Sequence, residues 1–403
     1  MHLTGGRKAA PSISRAPTDS EGAVYEALNP PDACSMLGCM SGTSTMLQTD
    51  RLTRLRARLA EAGVDAVLLT KPVNIAYVSG FTGSAGAAVV TPAAAHLVVD
   101  FRYVEQAGIQ APRFSRVQAQ GPLLDVAGAL LRQLSVQRIG VEAEALPVGP
   151  FRRLQAAVDP SEVIPLDGLD RVRWQKDVDE IAALRRAAAI ADEAFTAVLP
   201  MIRPGAVERD IAVELEDHMR RRGSERLSFD LIVASGPRSA LPHGVASERV
   251  VGRGEYVTID FGAVVGGYHS DCTRTVVTAP ATDRHRALYE LVRSAQAAAL
   301  AALRPGMTGR EADALARTRI AQAGYGEAFG HGLGHGVGLQ IHEGPTLSPR
   351  EEAVLAPGAV VTVEPGVYLP DWGGVRIEDL VVITEAGCET LTRLPKEFCE
   401  VTG

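Results

Sequence analysis

The sequence predicts an α/β domain over residues 48–170 followed by an α+β domain over residues 171–403, and three observations carry that prediction. Short apolar runs alternate with helix-period segments as far as residue 164, the pattern of strands and helices sharing one mixed sheet. Past residue 170 the texture changes to longer helices separated by hydrophobic hairpins, without strict alternation. A length of 403 residues also exceeds what one hydrophobic core usually serves.

Taken in order, residues 1–47 are rich in Ser, Thr, Pro, Gly and Ala and show no periodicity, which predicts a disordered tail. Met46 stands just before the first clear helix and is an alternative start; the intact mass of the native protein tests whether residues 1–45 are present. Leu52, Leu55 and Leu59 have helical spacing, with Gly63 as the stop. Strands are expected at 66–69, 87–90, 97–99, 138–141 and 163–164, with helices through 75–78, over 123–134 and over 151–158. Gly80, Gly83 and Gly86 do not open a helix after a strand, so they serve turns and not a phosphate loop. Beyond a charged stretch containing Trp174, an Ala-rich helix over 178–198 ends at Pro200 and Pro204. Further helices are expected at 209–221, 284–303 and 309–323.

The totals exclude some classes. The chain is 46% hydrophobic and 22% charged, ordinary for a globular enzyme, and its net charge of -7 without a dense Lys/Arg stripe argues against a nucleic-acid binder. No apolar stretch approaches the roughly 20 residues of a membrane span, and no apolar run follows the basic residues of the N-terminus as in a secretory signal. The five cysteines, Cys34, Cys39, Cys272, Cys388 and Cys399, form neither a zinc spacing nor an even disulfide framework. Reduced thiols and a cytoplasmic location are expected.

Three segments carry chemistry. Residues 256–276 read as a hairpin turning near Val265-Gly266, with Gly267 also free to take positive φ. A turn centred there sets Asp260 directly opposite Asp271, and two like charges in register destabilise a hairpin unless a cation lies between them. The plainer alternative is one solvated aspartate, or one paired with Arg274. The second segment, 330–343, has five glycines in nine positions, which rules out a helix. Extended, it points His331, Leu333 and His335 the same way; a flexible surface turn is the alternative. In the third, Glu364 and Glu378 flank a hairpin whose turn is Leu369-Pro370-Asp371-Trp372-Gly373. A salt bridge, from Glu378 to Arg376 or to another cation, accounts for either glutamate singly. Four carboxylates and an imidazole on glycine-flanked strands suit Mn²⁺ or Co²⁺, with Zn²⁺ or Fe²⁺ as alternatives. That is more than one divalent ion needs, whereas two ions roughly 3.5–4 Å apart use them all.

Asp260, Asp271, His335, Glu364 and Glu378, in this order and with these flanking residues, resemble the ligand set of the pita-bread metallopeptidase family, which includes methionine aminopeptidase, aminopeptidase P and prolidase. The resemblance runs from about residue 170 to the C-terminus, and the preceding α/β segment is similar to the creatinase-like N-terminal domain of the proline-specific members. It implies two divalent ions, Mn²⁺ first, with Asp260 on one, Asp271 and Glu378 shared, and His335 and Glu364 on the other. His243, in Leu241-Pro242-His243-Gly244, together with His331 and His342, matches substrate-site histidines, and Arg376 matches a position near a shared carboxylate.

The implied reaction is hydrolysis of the bond between an N-terminal residue and proline. Glu364 would be the general base, His331 and His342 would hold the oxyanion or the substrate, and His243 would shape the proline side. Xaa-Pro aminopeptidase is the leading expectation and prolidase, which takes dipeptides, the alternative; the sequence does not separate them. Methionine aminopeptidase fits less well because the N-terminal domain is surplus to it. A metal-free creatinase-like hydrolase or a non-catalytic binding protein would be expected to have lost the ligands. A homo-oligomer, peptide substrates with proline second, and no nucleic-acid or membrane partner complete the expectation.

Overall fold

Helical periodicity in the leucines at 52, 55 and 59 becomes a buried stripe on the first helix, which Gly63 ends at φ +62°. The structure, a computed structural model, describes residues 41–402, with side chains from residue 51 onward. That helix, α1, runs Ser41–Ala62 and so starts ahead of the expected position. The tail expected over 1–47 lies outside the described residues as far as residue 40.

The N-terminal part continues through β1 (Ala66–Leu69), α2 (Pro72–Ser79), β2 (Ala87–Val90), β3 (Ala95–Val99), α3 (Val104–Gln110), β4 (Ser115–Gln118), α4 (Leu123–Gln133), β5 (Arg138–Glu142), α5 (Val148–Val158) and β6 (Glu162–Leu166). These strands form one mixed sheet in the order β4-β3-β2-β1-β5-β6, antiparallel at β1–β2 and β2–β3 and parallel elsewhere. Two elements were not expected from the sequence, α3 and β4. None of the four β4 residues is buried, so this edge strand lacks the apolar alternation that marks a strand. Gly80 caps α2 at φ +83°, a turn role as expected.

A 3-10 turn, Leu169–Arg173, leads into α6 (Val178–Val198), whose start is fixed by a capping box between Asp177 and Glu180. There follow α7 (Glu208–Arg221), β7 (Ile232–Ser235), β8 (Tyr256–Phe261), β9 (Val264–Val265), β10 (Tyr268–His269), β11 (Cys272–Thr278), α8 (Asp283–Ala302), α9 (Gly309–Gln322), β12 (Gly334–Gly336), β13 (Glu343–Leu347), β14 (Val360–Val363), β15 (Gly366–Leu369), β16 (Gly373–Arg376), β17 (Asp379–Ile383), β18 (Cys388–Thr390) and β19 (Glu400–Val401). One sheet has the order β19-β11-β8-β7, another β13-β12-β14-β17-β18, and β15 with β16 forms a ribbon. Helices α6 and α7 cover the first sheet, through Phe195, Ile211 and Leu215 against Val257 and Ile259. Helices α8 and α9 cover the second, through Val292, Ala295 and Ala316 against Val361, Val363 and Val381.

The first sheet meets the β15–β16 ribbon and the residue that precedes β17 along a seam of buried threonines on β11. Thr275 Oγ1 donates to the Arg376 carbonyl (2.9 Å) and accepts from the Arg376 amide (3.2 Å), and the Glu378 amide reaches the Thr273 carbonyl (3.1 Å). This seam carries the polar residues that the helices leave uncovered.

Candidate metal centre

The hairpin that delivers the aspartates turns one residue later than expected. Val265 pairs with Tyr268 and Val264 with His269, so Gly266 and Gly267, at φ +60° and +79°, make the two-residue turn. In the same register Asp260 faces Thr273, not Asp271. The aspartates are diagonal neighbours, two residues apart on the face they share, which still leaves their charges close.

The glycine-rich segment is also only partly as expected. Leu333 is fully buried in the core under α8 and α9, whereas His331 and His335 line an open cavity. Strand pairing starts only at Gly334 and is irregular between Gly334 and Gly336, so alternation does not extend back through Leu333. The glycines permit close backbone approach: a Cβ on Gly334 would stand 2.0 Å from the Thr362 carbonyl oxygen. The third segment forms the hairpin expected. Val363 pairs with Asp379 and Gly366 with Arg376, which sets Glu364 across from Glu378.

These elements gather nine side chains around one cavity of about 530 Å³: His243, Asp260, Asp271, His331, His335, His342, Glu364, Arg376 and Glu378. Phe229, Ile232, Pro242 and Val245 give it an apolar wall. Asp271, His335 and Glu378 offer ligand atoms that all lie within 4.8 Å of one another. His335 Nε2 is 3.5 Å from Asp271 Oδ2 and 3.4 Å from Glu364 Oε1. Such separations are long for a charged hydrogen bond and suit groups that share a cation.

Neither of the two named pairings for the acids is present. Arg274 bonds Asp379 at 2.8 Å rather than Asp260 or Asp271. Arg376 reaches Asp260 Oδ2 at 2.7 Å and not Glu378, whose Oε2 takes the Thr273 hydroxyl at 2.6 Å. Asp260 Oδ1 is buried with no hydrogen-bond partner.

The electrostatics point the same way. Burial pushes the Asp271 carboxyl well above its usual range, and Glu378, Asp260 and Glu364 push it further. Glu378 is raised by burial and then by Glu364 and Asp260. Glu364 is raised by burial, partly offset by His331 and Arg376. Burial lowers His331, His335 and His342, which favours neutral imidazoles able to ligate or donate. Crowded acids, an orphaned carboxylate oxygen and a neutral imidazole are a donor set that fits divalent cations.

Three further residues organise the site. Thr273 Oγ1 accepts from Arg376 Nε (3.0 Å) while donating to Glu378. Tyr368 Oη accepts from Arg376 Nη1 (2.8 Å) and lies 2.9 Å from His331 Nε2. Thr362 Oγ1 donates to Glu364 (3.0 Å) and accepts the His335 amide (3.0 Å). The sequence signal for Thr273 was its place opposite Asp260, hidden by the misplaced turn.

Residues 182–385 match the model of metallopeptidase family M24, and residues 51–175 match that of the creatinase/prolidase N-terminal domain. The chain belongs to metallopeptidase family M24. Among curated relatives, an Xaa-Pro dipeptidase of Pyrococcus horikoshii is 38% identical over 358 residues, covering 87% of this chain and 99% of that protein. Among solved structures, an Xaa-Pro dipeptidase from Bacillus anthracis is 45% identical with a TM-score of 0.85, covering 88% of this chain and 100% of that one. An X-Pro aminopeptidase from Thermotoga maritima is 39% identical with a TM-score of 0.80, covering 87% and 99%. The fold is thus the pita-bread arrangement behind a creatinase-like domain, as the sequence resemblance implied, and the chain is a metallo-exopeptidase of a metal-dependent family. No helix among the described residues is long and apolar enough to cross a membrane.

Proposed function

We propose that the protein is an Xaa-Pro dipeptidase, hydrolysing the bond before the proline of a dipeptide with the help of two divalent ions. The observation that carries this is the convergence of Asp260, Asp271, His335, Glu364 and Glu378 on one cavity, with a buried Asp260 oxygen left unpartnered. The aminopeptidase reading that led from the sequence gives way to its alternative, because the names of the relatives at 38–45% identity favour dipeptidases. Manganese remains the first choice of metal, on the oxygen-rich donor set, with cobalt or zinc behind it.

Asp260, Asp271, His335, Glu364 and Glu378 would hold the ions. When bound, the pair would supply Lewis acidity toward a water and the scissile carbonyl. Glu364 takes the proton of the attacking water and passes it toward the proline nitrogen as that bond breaks. His342 donates to the oxygen that gains charge, while His331, whose ring nitrogens are taken by the Gly332 carbonyl and the Tyr368 hydroxyl, helps to hold the substrate. Pro242, His243 and Val245 stand on the apolar side, where a proline ring packs without needing an amide partner. Arg376 orients Asp260 through its ion pair. The domain division near residue 170, a homodimer and a cytoplasmic location belong to the same proposal.

The test is turnover of paired Xaa-Pro dipeptides and Xaa-Pro-containing tripeptides by protein stripped with chelator and then reloaded with Mn²⁺. Dipeptide hydrolysis that disappears on stripping and returns on loading supports the reading. Preference for the tripeptide restores the aminopeptidase, and full turnover without metal ends the proposal.

A further inference from the structure

His342 reaches the cavity from a short loop that is folded around the carboxylate of the next residue. Glu343 is buried and bonded on both sides, by Arg173 Nη1 at Oε2 and by Lys176 Nζ at Oε1 (2.7 Å). Arg173 Nη2 also donates to Gln340 Oε1 (2.9 Å), so one guanidinium holds two points of the loop. The loop closes so tightly over the carboxylate that a Cβ on Gly338 would stand 2.3 Å from Glu343 Oε1. On the far side Trp174 packs on Gly344, where a Cβ would meet its ring at 2.2 Å. Residues 173–176 thereby set the backbone on both sides of His342, whose ring lies 4.4 Å from that of His335.

The same arginine is anchored in the N-terminal domain. Its Nε donates to Asn74 Oδ1 (2.7 Å), and Asn74 Nδ2 donates to Glu142 Oε1 (2.6 Å). Glu142 Oε2 accepts the amides of Thr70 (2.6 Å) and Lys71 (2.8 Å) at the start of α2. Two cations and two carboxylates with an amide between them form a satisfied chain from β5 to the cavity. A satisfied chain of this kind has one low-energy arrangement, which is what positioning requires.

We propose that Arg173 and Lys176 are positioning residues for His342, acting through Glu343, and that Asn74 and Glu142 extend the constraint into the N-terminal domain. The inference rests on the peptidase reading for its kinetic consequence but not for its geometry. It gives the N-terminal domain a part in the chemistry of the same chain.

The test uses the full, metal-loaded chain with Glu343→Asp and Arg173→Lys, each alone and in a His342→Ala background. Each charge-conserving change should lower kcat by about 10- to 100-fold with KM little changed, as misplacement of one group does. In the His342→Ala background neither should cost anything further, because the residues act as one unit. Loss of equal size in both backgrounds, or no loss in either variant, overturns the proposal. The imidazole NMR signal of His342, assigned by its absence in His342→Ala, is read in parallel in metal-free protein. It should shift or broaden in both variants while that of His331 stays in place; an unmoved His342 signal also overturns the proposal. If the wild type turns over no Xaa-Pro peptide, the functional reading falls and the ring signal alone decides the positioning.

Discussion

Arg376 binds Asp260 by one carboxylate oxygen only, Nη2 to Oδ2 at 2.7 Å, and leaves Oδ1 buried and free for a cation. The same guanidinium donates to Thr273, Tyr368 and the Pro242 carbonyl, so it ties the acid cluster to His331 and to the apolar wall. Lysine keeps the charge but not the fork. Arg376→Lys should therefore lower metal affinity or kcat/KM by about 10- to 100-fold, as loss of an outer partner of a metal ligand does. Metal titration calorimetry together with dipeptide hydrolysis checks this, and wild-type values in both would exclude the role given to Arg376.

Asp271 is the most crowded of the acids, with Glu378, Asp260 and Glu364 all acting on it. Asp271→Asn removes one like charge and one ligand together. Metal content per chain and turnover should both collapse. The metal-free variant should nevertheless melt higher than metal-free wild type, because a repulsive site is relieved. Differential scanning calorimetry after chelation reads this; a variant less stable than metal-free wild type would mean that the acids do not repel one another.

The raised carboxyl groups also make their own contribution to the pH dependence, with a definite sign. Asp271, Glu364 and Glu378 bind protons more tightly folded than unfolded, so between their ordinary and raised values the native state carries more protons. Stability from these groups is complete below the unfolded values, 3.8 for Asp and 4.5 for Glu, and is lost as pH rises through the folded ones. Glu180, pushed up to about 7 by burial, contributes with the same sign. Between pH 5.5 and pH 8 the urea stability of metal-free wild type should therefore fall relative to that of metal-free Asp271→Asn, which lacks one of these acids but keeps the histidines lowered by burial, whose contribution has the opposite sign. Metal binding near pH 6 should release protons. Calorimetric titrations in two buffers of different ionisation enthalpy count them; zero release would contradict the raised values.

Much of this site was legible because its acids sit where a buried strand would otherwise place apolar residues. Asp260, Glu364 and Glu378 interrupt or bound β-branched runs, and a charge there asks for a partner whatever the fold. Register was less legible. Val265-Gly266 and Gly266-Gly267 are both acceptable turns by composition, and only packing chose the second, which moved Thr273 into the place expected of Asp271. Leu333 was misplaced for a related reason: alternation holds inside a ladder, and the ladder begins after it. Edge strand β4 left no apolar trace because none of its residues is buried. Arg173, Lys176 and Glu343 carry no local signal of their pairing, since the partners lie about 170 positions apart.

The loop bearing His243 is held at both ends by one fully buried carboxylate. Glu208 Oε1 accepts the amide and hydroxyl of Ser235, each at 2.8 Å. Its Oε2 accepts the hydroxyl of Ser247 (2.6 Å), the Ser247 amide (3.2 Å) and Arg238. Arg238 in turn donates to the Val245 carbonyl (2.7 Å), so the loop between the two serines, with Pro242, His243 and Val245, is closed around a single group. Glu208→Gln turns an acceptor into a donor facing donors, and leaves Arg238 without its counter-charge. Breaking a fully buried pair costs about 3–5 kcal/mol; Arg238 is 27% exposed, so about 2–3 kcal/mol is the expected loss in urea unfolding. The sharper expectation is kinetic. A loosened wall should raise KM for Xaa-Pro dipeptides while kcat falls less, because the proposed metal ligands lie on β8, beside β11, on β12 and at the ends of β14 and β17, and none belongs to this loop. Steady-state kinetics on Glu208→Gln and Glu208→Asp separate the two, with the shorter acid recovering part of KM if the clamp works as described. A kcat loss as large as the change in KM would instead place Glu208 in support of the acids themselves.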